Sequence, residues 1–332
     1  MARKGAETLG GDRLHICLLD GLLDVLTRLC ERLSIERSLA VAAAFGGLWV
    51  RLGAPRTRRV AEALARALPE LAAAERARLA REVFVQLAQS LVELLVLRGG
   101  RRAELLARIE ISGLEHIAAA SRATPSGGVL VVTAHLGNWE LACAKVASLG
   151  FPVSVVYREL RHPVLDGALF ALRAQAGREP GGSPVEQIKL GRAGLPVVRA
   201  LAAGRNVLVL LDQNAGREEG VFVSFFGQPA STRSGPIALA ALRNHPVVPA
   251  FIHRKPDGRS HRIEIQPALA LEPGAADDEE VLRRNVQRVT GTIEAAIRAW
   301  PGQWTWTHRR WRTQPRGGEA IVAGSRSGPG PG

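Results

Sequence analysis

Val129-Leu-Val-Val-Thr-Ala-His135-Leu-Gly137-Asn138-Trp139-Glu140-Leu is the stretch that decides the reading of this 332-residue chain. Gly127-Gly128 precede a run rich in β-branched residues, and the helical pattern Trp139 to Leu149 follows Gly137-Asn138. The run predicts a buried strand, the glycine a turn and the spacing after it a helix. A strand-to-helix turn at the carboxyl end of a strand is where open α/β sheets place their ligands. Here it delivers a histidine and a carboxylate together.

Acyl-transfer chemistry needs such a pair. A neutral histidine can take the proton of an attacking hydroxyl, and a carboxylate on its other ring nitrogen fixes the tautomer and stabilises the imidazolium. Residues five apart on a regular helix lie about 140° round the axis. The turn at Gly137 must therefore bring Glu140 back to His135. The alternative is a capped helix start with a satisfied core histidine. Spacing alone decides little, because chance gives about 0.7 matches to His-x4-[Asp/Glu] in this composition. His15 to Asp20 also matches, but no strand precedes it and no glycine turns it, so it reads as accidental.

Composition bounds the rest. A length of 332 residues with 46% hydrophobic content supports one large domain or two small ones. The net charge of +13 points to an acidic partner: nucleic acid, an anionic membrane, or an acidic carrier protein and phosphate-bearing substrates. Cys17, Cys30 and Cys143 lack metal or redox spacing and read as core residues in a reducing compartment. No Cys/His cluster has zinc spacing, so no metal or cofactor is expected.

The first hundred residues read as helical. Lys4 and Arg3 are followed by Glu7, Asp12 and Arg13, which does not make a secretory signal. Leu14 to Leu33 shows a broad apolar face with Asp20, Asp24, Arg28 and Glu31 on a narrow polar stripe, suited to apolar contact with protein or membrane. The uncharged run Leu39 to Val50 would span only about 18 Å as a helix against roughly 30 Å of bilayer hydrocarbon. It fits a core helix or an interfacial one, with Arg51, Arg56, Arg58 and Arg59 placed for anionic lipid. Leu68-Pro69-Glu70 marks a break and Gly99-Gly100 a stop.

From about residue 110 strands and helices alternate. Expected strands are Val129 to Ala134, Val153 to Tyr157, Asn206 to Leu211, Val247 to Ile252 and Arg262 to Gln266. Ser234-Gly235-Pro236 and Asp277-Asp278 open helices, the last stopping before Pro301. The fold class is α/β: a central, mostly parallel sheet flanked by helices, with an N-terminal helical region. The expected division is a membrane-associating helical region over 1–100, an α/β core over 101–314 and a disordered tail over 315–332.

Further segments align with the first in order and interval. Tyr157-Arg158 closes the second strand, Leu211-Asp212-Gln213-Asn214 the third, and Phe225-Phe226-Gly227 precedes Thr232-Arg233-Ser234. The last reads Trp304-Thr-Trp306-Thr-His308-Arg309-Arg310-Trp311. Together, over roughly residues 30 to 314, they resemble the lipid A biosynthesis lauroyl/myristoyl acyltransferase family, whose relatives include mycobacterial phosphatidylinositol mannoside acyltransferases.

The resemblance implies an O-acyltransferase that moves a fatty acyl chain from acyl carrier protein or acyl-CoA to a hydroxyl of a glycolipid, first a lipid A precursor. Phosphatidylinositol mannoside and lysophospholipid acceptors stay open, as does a non-catalytic basic membrane or nucleic-acid binder. It implies His135 as general base and Glu140 as its partner. Arg158 and Asp212 are implied site positions; a guanidinium at Arg158 suits a phosphate or sugar oxygen. Backbone N–H groups near Gly137 and Asn138 are expected oxyanion donors. Phe225 and Phe226, with Thr232 beyond them, are expected on the substrate side, lining an acyl tunnel or packing as plain core. The Trp304 to Trp311 segment is expected as a final strand with tryptophans inward and arginines toward an anionic surface, and no nucleic acid is expected there. The family commonly continues the second strand with Arg-Pro and Asn-Pro pairs, whereas this chain has Arg158-Glu-Leu-Arg161-His162-Pro163, so different acceptor contacts are an expectation. The expected location is the cytoplasmic face of the inner membrane, peripheral or monotopic.

Overall fold

Apolar residues at three- and four-residue spacing in the first hundred positions form helices, as their period requires. The computed structural model describes residues 18–52, 55–191, 193–274 and 278–316. Helix α1 covers 18–32. Helix α2 (Ile35–Arg51) starts on Ser34, whose hydroxyl accepts the Arg37 N–H. Helix α3 (Pro55–Ala67) lies at 86° to α2. Helix α4 (Ala73–Arg98) runs 26 residues to Gly99, and α5 (Arg102–Ala107) is one short turn more.

Asp24 and Glu31 on the polar stripe of α1 reach the protein. Asp24 pairs with Arg98 at 2.7 Å, and Glu31 accepts the Gly100 N–H at 2.8 Å. Leu18, Leu22, Val25 and Leu29 are left exposed on α1, and Val41, Phe45, Leu48 and Leu52 on α2. Both sets follow the spacing i, i+4, i+7, i+11, so each forms one outward stripe.

Strands and helices then alternate: β1 (Ile109–Ser112), α6 (Leu114–Arg122), β2 (Val129–Thr133), α7 (Trp139–Ser148), β3 (Val153–Tyr157), α8 (Pro163–Gln175), β4 (Glu186–Lys189), α9 (Gly194–Ala202) and β5 (Asn206–Leu210). A separate antiparallel hairpin, β6 (Gly220–Phe225) and β7 (Gln228–Arg233), is followed by α10 (Gly235–Leu242), β8 (Val247–Arg254), β9 (His261–Ile265) and α11 (Glu279–Ala299). Asp278 caps α11 by accepting the Glu280 and Val281 N–H groups.

Seven strands form one sheet in the order β1-β9-β8-β2-β5-β3-β4. Every neighbouring pair is parallel except β8 and β9, which the Asp257-Gly258 turn joins as an antiparallel hairpin. The central strand β2 is buried along its whole length, as a run of Val and Leu covered on both faces should be. The packing crosses the change from helix to α/β pattern: Val60, Leu64, Val83 and Phe84 of α3 and α4 share one buried cluster with Leu130, Val132, Val207 and Val209 of the sheet. Cys30 and Cys143 are buried and free; Cys17 and the expected disordered tail beyond Arg316 lie outside the described residues.

The expected final strand is not formed. After a 3-10 turn at Pro301–Gln303, only Trp304 bridges to Leu136, and tight turns close with Trp306 N–H on Trp304 O and Arg310 N–H on His308 O. Trp304, Trp306 and Trp311 are buried as anticipated, but Arg310 is buried with them. Its guanidinium donates to Ser231 O at 2.6 Å and to the Thr232 hydroxyl, and lies over the Phe225 ring. Burial lowers its pKa to about 10.

Candidate active site

Neighbouring strands build the site. Strands β2 and β5 pair in parallel with Thr133 opposite Leu210, so the residues two beyond each end, His135 and Asp212, emerge side by side. The turn after His135 requires glycine: Gly137 has φ +61, and a Cβ there would stand 2.3 Å from Ile252 O. The C-terminal segment clamps the same turn. Gly137 N–H donates to Gln303 O at 3.0 Å, and the N–H and hydroxyl of Thr305 both donate to His135 O.

His135 Nδ1 lies 2.8 Å from Asp212 Oδ1. The other carboxylate oxygen accepts the His135 backbone N–H at 3.0 Å and the Trp304 indole N–H at 2.7 Å. Burial alone would raise the Asp212 pKa, but the neighbouring His135 and these hydrogen bonds outweigh it and hold it at about 2. An ionised Asp212 accepts, so Nδ1 carries the ring proton and Nε2 presents its lone pair. The Gln213 amide donates to that Nε2 at 3.2 Å.

Glu140 is elsewhere, which corrects the expected pairing with His135. It begins α7 beyond the turn, where the helix carries its side chain to a buried ion pair with Arg173: Nε donates to Oε2 at 2.9 Å and Nη2 to Oε1. Glu140 also accepts the Trp139 indole N–H at 3.2 Å. The Trp139 ring meets the His135 ring edge-on, with centroids 4.6 Å apart. Glu140 thus reaches the histidine only through the tryptophan it orients. Cys143 below it is no nucleophile, since burial and then the Glu140 charge push its thiol up to about 12.

Other expected site residues divide. Arg158 is exposed at the rim of a polar cavity that also holds Gln213 and His308. Gly137 N–H is occupied by Gln303 O and so is not an oxyanion donor. Asn138 is buried and its side-chain amide donates to Glu93 at 3.0 Å and Ser90 O at 3.3 Å, so it ties the turn to α4. Its backbone N–H makes no hydrogen bond to the described residues. Phe225 and Phe226 line no acyl tunnel at the site; they pack on Trp304, Trp311 and Trp306, and Thr232 is buried under Arg310. The apolar cavity lies instead between the sheet and α6 and α7, lined by Ile117, Val131, Cys143, Phe151, Leu208 and Trp139.

Sequence reasoning missed three contributors. Gln213 has no signal of its own in the Asp212 segment, yet its amide meets His135 Nε2. Trp304 reads as packing, yet its indole N–H also holds Asp212. The third is a buried ionic cluster behind the turn: Glu93 accepts from Arg254 Nη1 at 2.7 Å, from His261 Nε2 at 2.8 Å and from Asn138. Burial opposes the charge on Glu93, but His261 and Arg254 prevail and hold its pKa at about 2. Its signal was present in the chain, because Gln86, Ser90 and Glu93 recur at helical spacing inside an otherwise apolar stretch.

Residues 29–313 match the family model described as bacterial lipid A biosynthesis acyltransferase. Among individual proteins, the lipid A biosynthesis lauroyltransferase of Escherichia coli K12 is 27% identical over 274 residues, covering 82% of this chain and 84% of that one. The lipid A biosynthesis palmitoleoyltransferase of the same organism is 26% identical over 255 residues, 76% and 78% of the two chains. A lipid A biosynthesis acyltransferase of Haemophilus influenzae is 24% identical over 280 residues, 82% and 80% of the two chains.

Proposed function

Because the chain belongs to the bacterial lipid A biosynthesis acyltransferase family, we propose that it acylates a hydroxyl of a lipid A precursor from a thioester on acyl carrier protein or CoA, using His135 as general base and Asp212 as its partner. It is an acyltransferase of lipid A biosynthesis; donor, acceptor and residue roles are the proposed part. The observation that carries it is the 2.8 Å contact of His135 Nδ1 with an ionised Asp212, which leaves Nε2 as the acceptor of a proton.

In this mechanism an acceptor hydroxyl displaces the Gln213 amide from Nε2. His135 takes the hydroxyl proton as the oxygen attacks the thioester carbonyl, forming the C–O bond and a tetrahedral oxyanion. Asp212 stabilises the imidazolium. Collapse breaks the C–S bond, and the departing thiolate takes the proton back from His135. Of the two expected turn donors, the Asn138 N–H is the one left for the oxyanion. The apolar cavity beside Trp139 suits the acyl chain by its lining, which is almost wholly apolar. Glu140 and Arg173 act as positioning residues for Trp139.

The same reading places the enzyme on the cytoplasmic face of the inner membrane. Among the described residues no single helix is long and apolar enough to cross a bilayer. The outward apolar stripes of α1 and α2, with the exposed Arg51 and Arg56 near the end of α2 in sequence, fit peripheral insertion into an anionic leaflet.

Mass spectrometry of lipid extracts tests the reaction, using the full chain or its His135→Ala form with carrier-protein and CoA thioesters and a panel of acceptors. The expected result is a gain of one acyl group on tetraacylated lipid A precursor that His135→Ala abolishes. No gain on any acceptor, from folded protein supplied with vesicles, would overturn the proposal.

A further inference from the structure

Four guanidinium groups converge on the polar cavity at the site, from three separate parts of the chain: Arg59 on α3, Arg158 after β3, and Arg309 and Arg312 in the C-terminal segment. No carboxylate lines this cavity. Among the described residues none of these four side chains forms a salt bridge or hydrogen bond. Glu219 feels the Arg158 charge but is engaged by Arg233 at 2.7 Å. Arg98, Arg108 and Arg173, by contrast, each meet a carboxylate: Asp24, Glu36 and Glu140.

We propose that this cavity is a phosphate-recognition site that fixes a phosphorylated substrate against His135. Like charges gathered without a counter-ion repel one another, and an anion in their midst removes that penalty. Guanidinium geometry matches the paired oxygens of a phosphoryl group. The floor adds neutral donors. His308 Nε2 accepts the Asn214 N–H at 3.0 Å, and burial lowers its pKa to about 4, so the neutral ring keeps its proton on Nδ1 as a donor. Gln213 belongs to the same lining and touches His135 Nε2 at 3.2 Å, so the cavity adjoins the reacting nitrogen through that one side chain. The inference rests on the acyl-transfer reading, in which one apolar and one polar cavity adjoin His135, the first through Trp139 and the second through Gln213.

Either substrate can carry the phosphoryl group: the glycolipid headgroup, or the phosphopantetheine arm of the thioester donor. The test begins with binding that needs no turnover. Calorimetric titration of the detergent-solubilised full chain with inorganic pyrophosphate, against sodium chloride of equal ionic strength, should show saturable binding. The Arg309→Gln/Arg312→Gln double variant should weaken it by roughly tenfold or more, since each lost contact is a charge-assisted hydrogen bond. Arg288→Gln, a surface arginine paired with Glu272, should bind as the parent does.

Two kinetic arms then separate the sources. If the headgroup supplies the phosphate, the kcat/KM ratio of lipid A precursor to its phosphatase-treated form collapses toward unity in the double variant. If the donor supplies it, the ratio of acyl-CoA to the acyl thioester of N-acetylcysteamine collapses instead. Absent pyrophosphate binding, or both ratios equal in parent and double variant, overturns the site while transfer itself persists. Pyrophosphate binding without transfer to any acceptor leaves the site standing and removes the reaction.

Discussion

Glu140 and Asp212 show how residue type underdetermines role. Both are buried carboxylates near His135, yet Asp212 holds the imidazole and Glu140 holds Arg173. Replacing Glu140 with Gln leaves a buried guanidinium without its counter-charge, a change that costs about 3–5 kcal/mol in comparable pairs. Thermal unfolding of Glu140→Gln should therefore show a lowered midpoint, which Arg173→Met in the same chain partly restores. Gly137→Ala meets both a positive φ and Ile252 O, so it should yield an unstable or inactive turn by the same assay combined with acyl transfer. His308 supplies a pH dependence. Its folded pKa of about 4 lies below the ordinary value near 6.5, so the folded state binds fewer protons in that interval. Its contribution is complete above pH 6.5 and is lost as pH falls through 4. A denaturant midpoint followed over that window should decline, and less steeply in His308→Asn.

Among the elements, α4 is the beam behind the site. Through Glu93 it ties Arg254 of β8, His261 of β9 and Asn138 of the His135 turn into one buried cluster. Glu93→Gln should lower both the unfolding midpoint and turnover, because it strands Arg254 and loosens the turn together. Helices α1 and α2 direct their apolar stripes outward. Phe45→Asp/Leu48→Asp should reduce co-sedimentation with anionic vesicles while the circular dichroism spectrum stays unchanged; undiminished binding would dissociate these stripes from the membrane. Element legibility followed hydropathy. The buried runs of β2, β3, β5 and β8 announced themselves, whereas β1, Ile-Glu-Ile-Ser, and β4, Glu-Gln-Ile-Lys, are short edge strands whose polar residues hide the pattern. The C-terminal tryptophans misled because alternation with polar residues also arises in a chain of tight turns.

At the scale of the molecule, function depends on strand order. His135 and Asp212 are 77 residues apart in sequence, and only the β2–β5 register places them in contact. The histidine was legible from its strand and turn, since those signals are local. Its partner was not, because Glu140 was near in sequence and nothing local disclosed which strand end lies beside β2. The cationic cavity is likewise a product of assembly, drawn from α3, the end of β3 and the C-terminal segment. The most direct measurement is the initial rate of acyl transfer to lipid A precursor by folded Asp212→Asn, set against the parent and Glu140→Gln at a temperature where all three are folded. A loss of about 10²–10⁴-fold in kcat for Asp212→Asn, the usual worth of general base catalysis, with a smaller loss for Glu140→Gln, is the predicted result. Parent-like turnover by Asp212→Asn beside an inactive, folded Glu140→Gln would contradict it.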